Sequence, residues 1–189
     1  MKSKNTSIET KAKTSTKAKH LRELASSHLE QGAVTPGYAA DRTEVLRQLN
    51  AALATELVCV LRYRRHYFMA RGIHARAIAT EFLVHSNEEL GHADRLAARI
   101  VQLGGEPHFD PDGLAQRSHA QYMPGSNLVD MIREDLIAER IAVDSYRATV
   151  NYLGTDDPTT SDLLKSILAV EEQHADELAD LLAGTAKSR

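Results

Sequence analysis

The amino-acid sequence predicts an all-α protein, a four-helix bundle with one long crossover between its second and third helices. Three observations carry this. Aromatic residues make up only 5% of the 189 positions and tryptophan is absent, whereas Ala, Leu, Glu and Arg abound, a composition that favours packed helices over a β-sandwich. Four long segments repeat apolar residues at helical spacing, so each presents one stripe to a core. The connections between those segments are short, long and short in turn, which sets the topology.

Positions 1–16 are Lys, Ser and Thr with almost no large apolar residue. Too little apolar surface is available there to offset the entropy of ordering, and a disordered basic tail is expected. Positions 17–40 read as a short helix and linker: Leu21, Leu24, Ala25, His28 and Leu29 recur at helical spacing between His20 and Gln31, before Gly32, Pro36 and Gly37 break the pattern. The bundle is expected over 41–184, with 185–189 as a C-terminal tail. Its first helix starts at an Asp41 cap, carries Leu46, Leu49, Leu53, Val60 and Tyr67 on one stripe, and runs to Gly72. The second has Ile78, Phe82, Leu96, Ile100 and Leu103 inward and stops at Gly104 and Gly105. The third begins at a Ser126 or Asn127 cap, directs Ile132, Leu136, Val143, Tyr146, Val150 and Leu153 inward, and ends at Gly154. The fourth opens with Asp157 as cap and Pro158 at the first helical position, followed by Leu164, Ile167, Leu168, Leu178 and Leu182.

Short links make the first and second helices, and the third and fourth, antiparallel hairpins. The connection from Gly105 to Gly125 is long and contains Pro107, Pro111 and Pro124. Extended, it spans roughly 70 Å, against about 42 Å for a helix of about 28 residues, so it can cross the whole bundle.

A single cysteine, Cys59, excludes an intrachain disulfide and Cys-rich zinc or iron–sulfur motifs, which fits a reducing cytoplasm. No stretch approaches the roughly 20 apolar residues that a bilayer requires, and no apolar secretory signal opens the chain, so a soluble cytoplasmic protein is expected. The net charge of -3 hides an asymmetry: residues 1–22 hold Lys2, Lys4, Lys11, Lys13, Lys17, Lys19 and Arg22 against Glu9 alone, and the remainder is clearly acidic.

The chemistry lies in a repeat. Glu89 to Leu96 and Glu171 to Leu178 both read Glu-x-x-His-Ala-Asp-x-Leu, and residues three apart on a helix share a face, so each copy sets a carboxylate beside an imidazole. Each inward stripe also contains one acid, Glu56, Glu89, Glu139 and Glu171 in turn, where the periodicity demands an apolar residue. A lone buried carboxylate is costly, and four in one core need cations. With His92 and His174 as neutral nitrogen donors, the set suits a pair of metals such as iron or manganese. Glu56 precedes Glu89 by 33 residues and Glu139 precedes Glu171 by 32, and Glu56 and Glu139 are each followed seven residues later by a tyrosine, Tyr63 and Tyr146. The hairpins look like duplicated halves that bring like ligands together about a pseudo-twofold axis.

The arrangement Glu56, Glu89-x-x-His92, Glu139, Glu171-x-x-His174 resembles the ferritin-like di-iron carboxylate proteins, and within them bacterioferritin and the Dps-like mini-ferritins with a bacterioferritin-type site, over about Asp41 to Leu182. The resemblance implies two iron ions per subunit, with manganese as the other candidate, Glu56 and Glu139 as terminal ligands, Glu89 and Glu171 as bridges, and His92 and His174 one on each metal. Tyr63 resembles the bacterioferritin tyrosine beside the site, a redox or hydrogen-bond partner. Leu90 stands where bacterioferritin has the methionine that ligates haem between subunits, so haem is not expected. The longer crossover and the extra N-terminal segment are closer to the Dps-like branch. The implied activity is ferroxidase chemistry: Fe(II) is oxidised by O2 or H2O2 and the ferric product is stored in a hollow homo-oligomer of twelve or twenty-four subunits, which protects against oxidative stress.

Other readings stay open beside this one. A manganese catalase or rubrerythrin-type peroxidase uses the same bundle, although rubrerythrin usually adds a Cys-rich module that one cysteine cannot supply. The lysine-rich tail either binds DNA phosphates, as the tails of some Dps proteins do, or is merely solvated. Glu88 and Glu172 rival the motif glutamates, but only the i, i+3 choice serves both halves. Asp94 and Asp176 either orient histidines or form surface salt bridges. His85 and His66 read as hydrogen-bonded core histidines, His85 alternatively as a pore or third-metal residue, and Cys59 as a small buried hydrophobe.

Overall fold

The structure, a computed structural model, describes residues 16–72 and 75–187. The chain divides into two compact units, Met1–Tyr38 and Ala39–Arg189. The expected tail over 1–16 lies, but for its last residue, outside the described residues. In the first unit a helix, α1, covers residues 16–25 and a 3-10 turn covers Leu29–Gln31. The helix expected as far as Gln31 therefore ends early. His28 adopts φ 53°, in the left-handed region that interrupts a right-handed helix, and Leu21, Leu24 and Leu29 are exposed rather than aligned on a core.

The second unit is built of α2 (Arg42–Met69), α3 (Ala75–Gln102), a single turn α4 (Leu114–Arg117), α5 (Leu128–Leu153) and α6 (Pro158–Lys187). No helix among the described residues is long and apolar enough to cross a membrane. Local chemistry fixes the helix starts. The Asp41 carboxylate accepts from the backbone of Thr43 at 3.0 Å and Glu44 at 3.3 Å, Asn127 Oδ1 accepts from Asp130 N at 3.0 Å, and Asp157 Oδ1 accepts from Thr160 N at 2.9 Å. Helix α6 continues to Lys187, past the end expected at 184.

Helix α2 packs mainly on α3 and α5 on α6, and the pairs meet through α2 against α5 and α3 against α6. The contacts of Tyr63 with Phe82 and His85, and of Glu56 with His92, run in opposite directions along α2 and α3, which makes that hairpin antiparallel. One end of the bundle is filled by Cys59, Tyr63, Ile78, Phe82, Met131, Ile132, Ala138 and Leu178. Further along the same helices, Leu49, Leu53, Leu96, Ile100, Leu153, Leu164 and Ile167 are fully buried, each contributing about 1.5–3 kcal/mol. The acidic cluster lies between these two apolar layers.

Helix α2 departs from its expected stripe. Leu46, Val60 and Tyr67 are only half-buried, while Asn50, Thr55, Arg62 and His66 are buried. The cause is the crossover, which runs along this second face of α2. Asn50 Nδ2 donates to Glu106 O at 3.1 Å and Asn50 Oδ1 accepts from His108 N at 2.8 Å. Thr55 Oγ1 accepts from His119 N at 2.9 Å, Arg62 donates to Gln121 O at 3.4 Å, and His66 Nε2 lies 3.0 Å from Pro124 O. Ascending positions of α2 thus meet ascending positions of the crossover. Two glycines permit the close approaches: a Cβ at Gly105 would lie 2.5 Å from Leu46 Cδ2, and Gly125, at φ 63°, would bring one within 2.9 Å of Met131 N.

Arg62 and Asp135, both fully buried, pair at 2.7 Å, and the second Asp135 oxygen holds His66 Nδ1 at 2.7 Å. Removing one partner of such a pair strands the other charge in the core. Asp135→Ala is expected to destabilise the metal-free protein by about 3–5 kcal/mol, read as a lower urea midpoint at unchanged slope.

Candidate metal centre

Each long helix contributes one glutamate to the middle of the bundle, and α3 and α6 each add the histidine one turn on. Glu56, Glu89, Glu139, Glu171 and His174 are at most 1% exposed and His92 is 5% exposed. The six side chains form two overlapping groups, Glu56, Glu89, His92 and Glu171 in one and Glu89, Glu139, Glu171 and His174 in the other. Within each group one ligand atom per residue lies within 4.8 Å of the rest. Glu89 and Glu171 belong to both groups, the position a bridging carboxylate occupies. Both imidazoles turn Nδ1 inward: His92 Nδ1 is 2.8 Å from Glu171 Oε1 and 3.4 Å from Glu89 Oε2, and His174 Nδ1 is 3.3 Å from Glu89 Oε1.

The fit to metal is visible in the hydrogen-bond inventory. Among the described residues, the buried side-chain polar atoms without a hydrogen-bond partner are Glu56 Oε2, Glu89 Oε1, His92 Nδ1, Glu139 Oε2, both Glu171 oxygens and His174 Nδ1, joined elsewhere only by Arg117 Nε and Ser161 Oγ. Such orphans are rare and costly, and a cluster of them facing one volume is what a pair of divalent cations satisfies. Carboxylate oxygen with imidazole nitrogen suits iron or manganese, and bound there such ions supply redox and Lewis-acid chemistry.

Two tyrosines complete the site crosswise. Tyr63, on α2, donates its hydroxyl hydrogen to Glu139 Oε1 on α5, and Tyr146, on α5, donates to Glu56 Oε1 on α2. Tyr63 thus lies beside the cluster as expected. Tyr146 holds the equivalent place in the other half, a role that sequence reasoning left unassigned although the Glu-x6-Tyr repeat signalled it. Glu88 accepts from His174 Nε2 at 2.9 Å, which leaves Nδ1 free to face inward. It orients a histidine, the task considered for Asp94 and Asp176, which stay on exposed helix faces. His66 is committed to Asp135, and Cys59 Sγ to Arg62 Nη2 at 3.4 Å; neither joins the cluster. His85 stacks on His174 with ring centroids 4.0 Å apart.

Without metal, protons balance the charge. Burial and the neighbouring Glu89 charge raise Glu56 and Glu171 well above the carboxylate range, and burial, then Glu89, pushes Glu139 up to about 7. For Glu89 burial acts upward too, but the close approach of Glu56, His174 and His92 outweighs it and holds the group below its usual value. Burial opposes charge on His92 and His174, yet the surrounding carboxylates push both up to about 9.

The model of the Ferritin-like domain matches residues 46–188. The chain belongs to the ferritin-like family. Bacterioferritin of Rhodobacter capsulatus is 30% identical over 139 residues, covering 71% of this chain and 80% of that protein. The DNA protection during starvation protein of Pyrococcus furiosus is 31% identical over 147 residues, covering 76% and 80%. Among solved structures, the bacterioferritin-related protein of Bacteroides fragilis, a dodecameric thioferritin, superposes with a TM-score of 0.76 at 31% identity over 79% of this chain and 90% of its own.

Glu139, His92 and His174 bind protons more tightly in the ferritin-like fold than in the unfolded chain. Their contribution is therefore present at low pH and is lost as pH rises, between 4.5 and about 7 for the carboxyl and between 6.5 and about 9 for the imidazoles. A metal ion bound there would take the place of those protons. The melting temperature of the metal-free protein is expected to fall from about pH 5 to about pH 9, while the increment added by excess Co(II) grows over the same range in a calorimetric scan. A flat metal-free profile would refute the proton-balanced cluster.

Proposed function

We propose that this chain is a ferroxidase that binds two Fe(II) ions per subunit as substrate, oxidises them with O2 or H2O2, and stores or detoxifies the ferric product in a hollow homo-oligomer. The convergence of unpartnered buried donor atoms from Glu56, Glu89, His92, Glu139, Glu171 and His174 carries this reading. In it, Glu89 and Glu171 span the two ions, Glu56 and Glu139 close the ends, and His92 and His174 each take one ion through Nδ1.

The remaining work falls to side chains that hold these six in place. Tyr146 and Tyr63 donate to Glu56 and Glu139, fixing one oxygen of each terminal carboxylate and leaving the other free for an ion. Glu88 fixes the His174 ring. As ions enter, the protons held by the carboxyls and imidazoles leave, so the buried charge stays balanced throughout loading. The two electrons needed by the oxidant come one from each Fe(II). A shell is supported by the dodecameric relative, and a protective role by the starvation-protection relative. Of the basic residues offered for contact with DNA, Lys2, Lys4, Lys11 and Lys13 lie outside the described residues, while Lys17, Lys19 and Arg22 are exposed on α1.

Stopped-flow absorbance of the metal-free protein loaded anaerobically with two Fe(II) per chain, mixed with O2 and in parallel with H2O2, tests the assignment. Rapid ferric formation is expected, followed by a large soluble ferric particle. Replacing Glu89 and Glu171 together with alanine is expected to reduce the rate to that of buffer while the helical circular dichroism is retained. Undiminished oxidation in that variant would sink the site assignment, and peroxide disproportionation without iron oxidation would redirect the reading to manganese.

A further inference from the structure

His85 belongs to a set of acceptors that the dinuclear cluster leaves unused. Its ring is fully buried, and Nδ1 lies 3.2 Å from the Tyr63 hydroxyl oxygen. That hydroxyl has one hydrogen, which it donates to Glu139, so its oxygen accepts and His85 Nδ1 carries the hydrogen. The neutral ring then bears its lone pair on Nε2. That atom faces Glu177 Oε2 at 3.0 Å and Glu81 Oε1 at 3.6 Å, two carboxylate oxygens with no hydrogen to offer. The other Glu177 oxygen is occupied by Gln173 Nε2, which donates to it at 2.8 Å.

A metal ion would meet Nε2 and both carboxylate oxygens at once. Bonds of about 2.1 Å set neighbouring donors about 3.0 Å apart in octahedral and about 3.4 Å apart in tetrahedral coordination, close to both separations here. Glu81 and Glu177 are 39% and 37% exposed and line, with Asp180, a cleft of about 1150 Å3 between α3 and α6 whose walls also include Arg76 and Leu128.

We propose that Glu81, His85 and Glu177 form a third divalent-cation site, distinct from the dinuclear centre and open to the cleft. One imidazole and two carboxylates favour Fe(II), Mn(II), Co(II) or Zn(II), with water in the remaining positions. Exposure makes it weaker than the buried centre and quicker to exchange. An ion there waits beside the centre, since His85 stacks on His174 and bonds to Tyr63. The site does not depend on iron oxidation: a protein that held three Co(II) per chain yet oxidised no iron would refute the ferroxidase reading and leave this one standing.

Anaerobic Co(II) titration of the metal-free full-length protein, followed by visible absorbance and calorimetry, tests it alongside anomalous diffraction from wild-type crystals soaked in Zn(II). Three Co(II) per chain are expected, the last bound most weakly, together with a Zn(II) peak at His85 Nε2. In the isosteric Glu81→Gln/Glu177→Gln variant the two tight steps are expected to persist and the weak one to lose about tenfold or more in affinity. Two Co(II) per chain in the wild type, an unchanged third step in the variant, or no Zn(II) peak at His85 would overturn the proposal. Because the peak is sought in wild-type crystals, a variant that failed to fold would leave that test intact.

Discussion

Burying four carboxylates within one helical core is the constraint to which the rest of the bundle answers. Each ion taken out of water costs several kcal/mol unless its charge is met where it lies. The site meets it with protons when empty: Glu56, Glu139 and Glu171 are driven toward the neutral form, Glu89 stays ionised, and His92 and His174 are drawn toward the charged form. The same atoms without their protons form a ligand set. Proton and metal would therefore compete for one set of positions, while the apolar layers at both ends of the bundle keep the helices in register.

Register is also held from outside the core. The crossover spends its backbone hydrogen-bonding groups on Asn50, Thr55, Arg62 and His66, so a connection without long helices of its own is tied to α2 along most of that helix. Arg62 is the pivot of this arrangement: it reaches Asp135 on α5, Gln121 in the crossover and Cys59 on its own helix. At the other end Arg99 joins α3 to the start of α6, donating to both Asp157 oxygens, at 2.8 and 3.1 Å, and to Thr160 Oγ1 at 2.8 Å. The residues that brace the cluster are thus charged and polar, and a flexible apolar contact could not fix directions as closely.

The sequence made legible whatever depends on near neighbours or repeats itself. Asp41, Asn127 and Asp157 act on backbone groups two or three residues away, so the helix starts could be read directly. The placement of the six cluster residues was legible because the Glu-x-x-His pairs recur and because each acid interrupts an apolar stripe. The partners of Arg62, Asn50 and Thr55 lie more than fifty residues away and recur nowhere, and they bury a polar face of α2 that the expected apolar stripe did not include. The same distance hid Glu88, which looked like a rival ligand and proves to hold His174, eighty-six residues on. In α1 the periodicity was present, yet among the described residues Leu21 and Leu24 stay exposed, as does Leu29 in the 3-10 turn that follows.

The crosswise tyrosines bear on when the site comes into being. Contacts within a hairpin close short loops and form early, whereas Tyr63 with Glu139 and Tyr146 with Glu56 join residues 76 and 90 positions apart. Each half of the chain holds the clasp for the other half's terminal glutamate, and neither hairpin alone can fix its own. A chain whose hairpins have not docked therefore holds neither terminal glutamate, and the oriented centre exists only once the two halves are together.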